Sequence, residues 1–120
     1  MGDPQQVGTE FVKFYYQSFD SNRASLDALY TEQSLLTFEG DGISGKQAIM
    51  EKLVGLRMEK VLHQVETLDV QPSPTGLLVY VTGQLIVDDS PAPMKFSQVF
   101  HLLPNGQGSY FVQNDLFRLT

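Results

Sequence analysis

The sequence predicts an α+β fold in which helices come first and an antiparallel sheet follows and packs against them. Three observations carry that reading. In the first third of the chain apolar residues recur at spacings of three and four, the mark of helices with one buried face. From Val61 onward the pattern changes to long extended runs separated by turns rich in Pro and Gly. Strands joined by short turns pair antiparallel, and helices grouped at the front of a chain cover one face of such a sheet. A length of 120 residues suits a single domain, 1–120, around one core.

Asp3 and Pro4 open the first helix, a carboxylate at the cap and a ring without an amide hydrogen at the first helical position, with Gln6 where a capping-box partner stands. Val7, Phe11, Phe14, Tyr15 and Phe19 then form its apolar face. The polar stretch 20–23 ends it, and 24–30 makes a short second helix with Leu26, Leu29 and Tyr30 turned inward. The first strand is expected at 35–39, followed by a turn at Gly40, Asp41 and Gly42. Ser44 can cap a third helix lined by Ile49, Leu53 and Leu56 and ended by Gly55. Four strands follow at 61–70, 77–87, 94–103 and 110–119, the last two joined by the hairpin signal PNGQGS. Leu77, Val79, Val81, Leu85 and Val87 share one face of their strand, and Tyr80, Thr82 and Gln84 the other. Helices cover only one face of this sheet. The strands from Val61 on carry apolar and uncharged polar residues on both faces, Leu62, Gln64, Val79, Tyr80, Gln98 and Val99 among them, so the second face wants a partner, most simply a second copy of the chain.

Composition narrows the function classes. Hydrophobic residues at 42% and charged residues at 18% fit a globular chain. A net charge of -6 argues against nucleic acid or an anionic membrane as the main partner and favours a basic protein. The absence of cysteine excludes disulfides and thiolate metal sites. The opening MGDPQQ has neither the basic nor the apolar segment of a signal peptide, and Gln6 stands where a myristoylation signal wants Ser or Thr. No apolar run approaches the roughly 20 residues of a membrane span.

The chemistry is sparse. His63 and His101 lie inside predicted strands with no carboxylate or nucleophile close in sequence, so they read as half-buried sheet histidines bonded to neighbours. Two histidines do not supply the three or four ligands of a metal site, and no nucleotide-binding or nucleophile-elbow motif is present. Tyr15, Tyr16 and Asp115 could act as an oxyanion donor and a base in a buried pocket, yet tyrosines on a helix core face and an acid in a strand are usually structural. No catalytic residue, metal ligand or cofactor is expected. The acids Glu39, Asp88 and Asp89 say more. Each alone reads as a solvated loop charge. Together, beside Phe38 and Met94, they make an apolar pocket with a charged rim, the pattern of an interface hot spot.

Six blocks in order, FVKFYYQSFD (11–20), LTFEG (36–40), GKQAIMEKL (45–53), HQVETLDVQPSP (63–74), VTGQL (81–85) and QNDLFRL (113–119), resemble the nuclear transport factor 2 family. The resemblance covers nearly the whole chain. It implies a cone, a bent sheet wrapped around a helix and dimerising through the sheet. It implies a carrier that imports the GTPase Ran in its GDP form and moves between cytoplasm, nuclear pore and nucleus, rather than an enzyme. Phe38 and Glu39 match the family's aromatic–glutamate pair that meets Ran, with phenylalanine replacing tryptophan. Leu56, Val61, Met94, Leu116 and Phe117 match positions that line the mouth of the cone, and Asp88 and Asp89 match an acidic loop whose third acid is Ser90 here. His63 matches a histidine near the dimer interface, where Tyr80 and Gln98 of the exposed sheet face are also expected. The family also binds phenylalanine-glycine repeats of nuclear pore proteins through a tryptophan in the first helix and aromatic residues near the C-terminus. Pro4 or Gln5 falls at that tryptophan, the sequence contains none, and Thr120 comes before the usual tail, so weak repeat binding is expected. The cone is also used by small-molecule isomerases and dehydratases and by heterodimerising messenger-RNA export adaptors, which are the alternatives.

Overall fold

The computed structural model describes residues 3–56, 60–88 and 90–120. Helix α1 spans Pro4–Ser21 and buries Gly8, Val12, Tyr15, Tyr16 and Phe19. These positions follow one another by three or four, so they form a single stripe. Phe14 lies two residues from both Val12 and Tyr16, about 200° around the helix from each. It therefore faces water, 52% exposed, contrary to the spacing read from the apolar residues alone. Asp3 makes no side-chain cap; its carbonyl instead takes the Val7 N–H at 3.0 Å. A 3₁₀ helix, Arg23–Leu29, follows with Leu26 fully buried.

Strands β1 (Leu35–Phe38) and β2 (Asp41–Ser44) form a hairpin, and α2 (Lys46–Val54) follows. β2 replaces the turn expected at 40–42. Its sequence DGIS has one apolar residue and offers no strand pattern to read. Ser44 belongs to that strand, so Gly45 rather than Ser44 caps α2. Strands β3 (Val61–Pro72), β4 (Leu77–Val87), β5 (Met94–Pro104) and β6 (Tyr110–Leu119) complete six strands in the order β2-β1-β6-β5-β4-β3. The sheet is bent and unclosed, and it is mixed rather than wholly antiparallel, because β1 runs parallel to its neighbour β6.

Register sorts the two faces. One inward row reads Phe38, Phe117, Gln98, Val81 and Leu68 across β1, β6, β5, β4 and β3. The next reads Leu36, Asp115, Phe100, Val79 and Val70. These rows meet α1, where the Tyr15 and Phe100 rings stand 4.8 Å apart edge to face. The intervening outward row carries Thr37, Leu116, Val99, Tyr80 and Asp69. Register shifts at Val65/Thr67 and His101/Leu102 bend the ladder. Gly83 sits opposite Val65 at the first of them, and a Cβ there would lie 2.1 Å from the Gln64 carbonyl oxygen. Gly83→Ala must push two backbones apart and is expected to lower stability by about 1–3 kcal/mol, measurable by urea unfolding.

Candidate functional site

One end of the inward face forms a mouth. β1 and β4 end there, β3 and β5 begin there, and the last residues of β6 cross it. Phe38 and Phe117 stack with ring centroids 4.9 Å apart and planes 8° from parallel, and Phe117 stacks in turn on Phe96 at 5.8 Å and 18°. Met94 extends the same face beyond Leu85, its register partner, and Val61 and Leu53 close the opposite side. Leu56, just past α2, is half-buried against this core. The cavity behind the rings is about 10 Å³, room for a single water.

Acids stand on the rim. Glu39 and Gly40 are the two residues between β1 and β2, with φ of 52° and 90°, the backbone of a type I′ hairpin turn. Glu39 is pinned twice: its N–H donates to the Phe117 carbonyl at 3.0 Å, and its Oε1 accepts the Leu119 N–H. Asp88 follows β4 with φ of 50°. Its Oδ1 accepts the Lys60 N–H at 2.9 Å, and its own N–H donates to the Lys60 carbonyl at 2.8 Å. Among the described residues these two acids are the only non-glycine residues with left-handed backbone. An L-residue there costs about 1–2 kcal/mol relative to ordinary backbone, and such strain gathers where function requires a side chain that the backbone does not favour. Asp89, the remaining acid expected in this loop, lies outside the described residues.

A polar cluster lies below the rings. Asp115 is fully buried; its Oδ1 accepts the Gln98 amide at 2.7 Å and its Oδ2 accepts the Tyr30 hydroxyl at 2.7 Å. Tyr15 and Tyr30 share a hydrogen bond of 2.6 Å, and the Tyr16 hydroxyl donates to Gln98 Oε1 at 2.8 Å. Burial pushes the Asp115 carboxyl up to about 6, against the three hydrogen bonds that favour its ionised form. The Tyr15, Tyr16 and Tyr30 hydroxyls are pushed well above the ordinary tyrosine range, first by burial and then by the Asp115 charge. Every side-chain oxygen of this cluster is engaged by a neighbour. Among the described residues no group of three or more His, Asp or Glu is placed to hold a metal ion.

The structure redistributes several expected site residues. Leu116 does not line the mouth with Phe117: successive residues of a strand point to opposite faces, and Leu116 is 49% exposed in the outward row with Val99 and Tyr80. Gln98 does not face outward; it is 4% exposed between Phe96 and Phe100 and is spent on Asp115 and Tyr16. His63 also turns inward. Its ring stacks on Tyr16 at 4.3 Å, and Asp20 holds both its Nδ1 at 2.6 Å and its backbone N–H at 2.9 Å. Tyr80 does lie on the outer face, 44% exposed. His101 is tied to neighbours as a sheet histidine should be, Nε2 to Ser73 Oγ at 3.1 Å and Nδ1 to Asn114 Oδ1 at 3.2 Å. Two contributors were missed. Asp20 carries no pattern that singles it out. Lys52, whose ammonium lies 5.2 Å from the centre of the Phe38 ring, could have been found as the residue beside core position Leu53 on α2.

An acid-rimmed aromatic mouth on a bent sheet is a geometry that can be compared with known proteins. The profile described as "Nuclear transport factor 2 (NTF2) domain" matches residues 7–119. The chain belongs to the nuclear transport factor 2 family. It is similar to the nuclear transport factor 2 of Emericella nidulans, 54% identical over 121 residues that cover 99% of this chain and 97% of that protein. The solved structure of nuclear transport factor 2 from Cryptosporidium parvum matches with a TM-score of 0.94 and 44% identity, covering 98% and 94% of the two chains. The Mtr2–Mex67 M domain complex of C. albicans matches with a TM-score of 0.82 at 15% identity, which shows a shared fold alone. The relatives of high identity bear the name of a transport factor, and the reading of this member of the nuclear transport factor 2 family as a carrier rather than an enzyme agrees with them.

Proposed function

We propose that the chain is a nuclear import carrier that takes Ran in its GDP form at the mouth, works as a homodimer through the outer face of its sheet, and moves between cytoplasm, nuclear pore and nucleus. The observation that carries this is the pairing of two backbone-strained acids, Glu39 and Asp88, with the Phe38–Phe117 stack. A partner offering cations to the rim and an aromatic side chain to the mouth matches both parts. Phe38, Glu39, Leu56, Val61, Asp88, Met94 and Phe117 are assigned to that contact, and the acid Asp89 is kept with them. A pull-down with Ran loaded with GDP and, in parallel, with GTP tests it: capture of the GDP form alone is expected, and equal or absent capture of both rejects the proposal.

The homodimer rests on Leu78, Tyr80, Leu116 and Leu62, all more than two-fifths exposed on the outer sheet face. Large apolar side chains exposed together on one sheet face are seldom left to water. Light scattering at micromolar concentration should return twice the chain's 13.4 kDa, and Leu116→Lys should return the single mass. Binding of pore-protein phenylalanine-glycine repeats is expected to be weak, since no tryptophan supplies a large aromatic wall near Gln5. An NMR titration with a short repeat peptide should show millimolar-range shifts, and Gln5→Trp should sharpen them without altering affinity for Ran-GDP.

A further inference from the structure

Phe38 has two ring contacts. Phe117 stacks on its ring at 4.9 Å, and the Lys52 ammonium stands over the ring at 5.2 Å from its centre. Lys52 sits in the last turn of α2, where the helix C-terminus favours a cation. Among the described residues it has no carboxylate within ion-pair distance, so the ring is its one specific contact. The cavity behind the stack measures about 10 Å³. A cavity that admits a benzene ring is roughly 150 Å³. As it stands, the mouth has room for a water and none for an aromatic side chain. The rings that frame it, Phe38 and Phe117, must separate before one can enter, and Phe38 is the half-exposed member at the edge.

We propose that Lys52 is a specificity-determining residue of the mouth: its ammonium latches Phe38 over the cavity, and an entering aromatic side chain must displace it. This rests on the reading of the mouth as the partner's socket. The free chain then exists mainly closed, and observed affinity is the intrinsic affinity reduced by the open fraction. A ring that cannot displace the ammonium, or an aliphatic side chain that gains nothing from Phe38, is turned away. Once displaced, the ammonium keeps its favourable place at the end of α2, so opening moves side chains and not the helix. A half-exposed cation–aromatic contact changes an equilibrium by about two- to fivefold, and that sets the size of the effect.

The test uses Lys52→Met, which keeps the aliphatic stem, and Lys52→Arg, which keeps the cation. In stopped-flow mixing with Ran-GDP, Lys52→Met should associate about two- to fivefold faster than the parent, with the dissociation rate unchanged, and Lys52→Arg should not. The gain should persist at high salt, because a contact with a ring face is screened far less than a net-charge effect. A second arm needs no partner. Toluene titrated into the isolated protein and followed by the NMR methyl signals of Leu53, Val61 and Leu85 should bind Lys52→Met about two- to fivefold more tightly than the parent. Failure of the parent to bind Ran-GDP would reject the proposed partner and leave the toluene arm to decide the latch. Equal toluene binding by parent and Lys52→Met, or an association gain that disappears at high salt, overturns the inference.

Discussion

Replacing Glu39 by Lys is expected to weaken Ran-GDP binding by about thirtyfold or more while the chain still folds. Reversing or removing one member of a hydrogen-bonded charge pair at an interface costs about 2–5 kcal/mol, most of it from the partner charge left desolvated and unmatched. The structure makes Glu39 a good carrier of that effect. Its carboxylate is oriented before any partner arrives, because Oε1 accepts the Leu119 N–H and the turn backbone is tied to Phe117. The same contact complicates the substitution, since lysine leaves the Leu119 amide to water. That amide is on the exposed end of β6, so the expected loss of stability is about 0.5–1.5 kcal/mol. Glu39→Gln separates the two roles. It retains an oxygen for Leu119 and loses only the charge, so it should melt with the parent and still bind Ran-GDP at least tenfold more weakly. Calorimetric titration with unchanged affinity in both variants would remove Glu39 from the interface.

Asp115→Asn is expected to change the pH dependence of stability more than any other single substitution in the core. The Asp115 carboxyl is raised from 3.8 to about 6, chiefly because burial disfavours its ionised form. A carboxyl raised in the folded state stabilises the fold fully below its unfolded value, and that contribution is lost as pH rises through the folded value. The window is therefore about pH 4 to 6, and the parent should lose stability across it relative to a variant that cannot ionise. At about 1.4 kcal/mol per pH unit the interval amounts to about 3 kcal/mol. Asparagine keeps an oxygen for the Gln98 amide and presents an amide to the Tyr30 hydroxyl, which can accept. Parent and variant should thus be near-equal in urea unfolding at pH 4, with the variant ahead by about 3 kcal/mol at pH 7. A constant difference at the two pH values would mean that Asp115 titrates near its ordinary value.

The inward placement of Asp115 is present in the strand pattern, and so is that of Gln98, which was expected on the outer face; their partners are not. In β6 the alternation that buries Val112 and Phe117 passes through Asp115 once the bulge is allowed for, and in β5 Gln98 lies between Phe96 and Phe100. Period-two patterning also recovers β4 and β6 to the residue, because both are long and apolar on one face. The same patterning argues against Leu116 and Phe117 sharing the mouth; family correspondence, which matches positions and not directions, put them together. The parallel pairing of β1 with β6 could not be read, since the two strands are some 75 residues apart and nothing local records which edge β1 joins. Helix α1 was misread at Phe14 because Gly8, which packs against Val70, carries no side chain to mark the buried stripe.

The left-handed backbone at Glu39 and Asp88 bears on how this protein could be improved as a material. Glycine at either position, or asparagine at 88, would relieve the backbone and is a substitution that stability-guided engineering would select. Asparagine at 88 keeps an oxygen for the Lys60 N–H and would add up to about 1 kcal/mol of thermal robustness, whereas glycine gives up the Leu119 or Lys60 contact in exchange for the relief; each deletes one rim charge. A library screened only for heat resistance should therefore drift toward chains that fold better and carry less. Retention of Glu39 and Asp88 through such a screen would require a second selection for cargo.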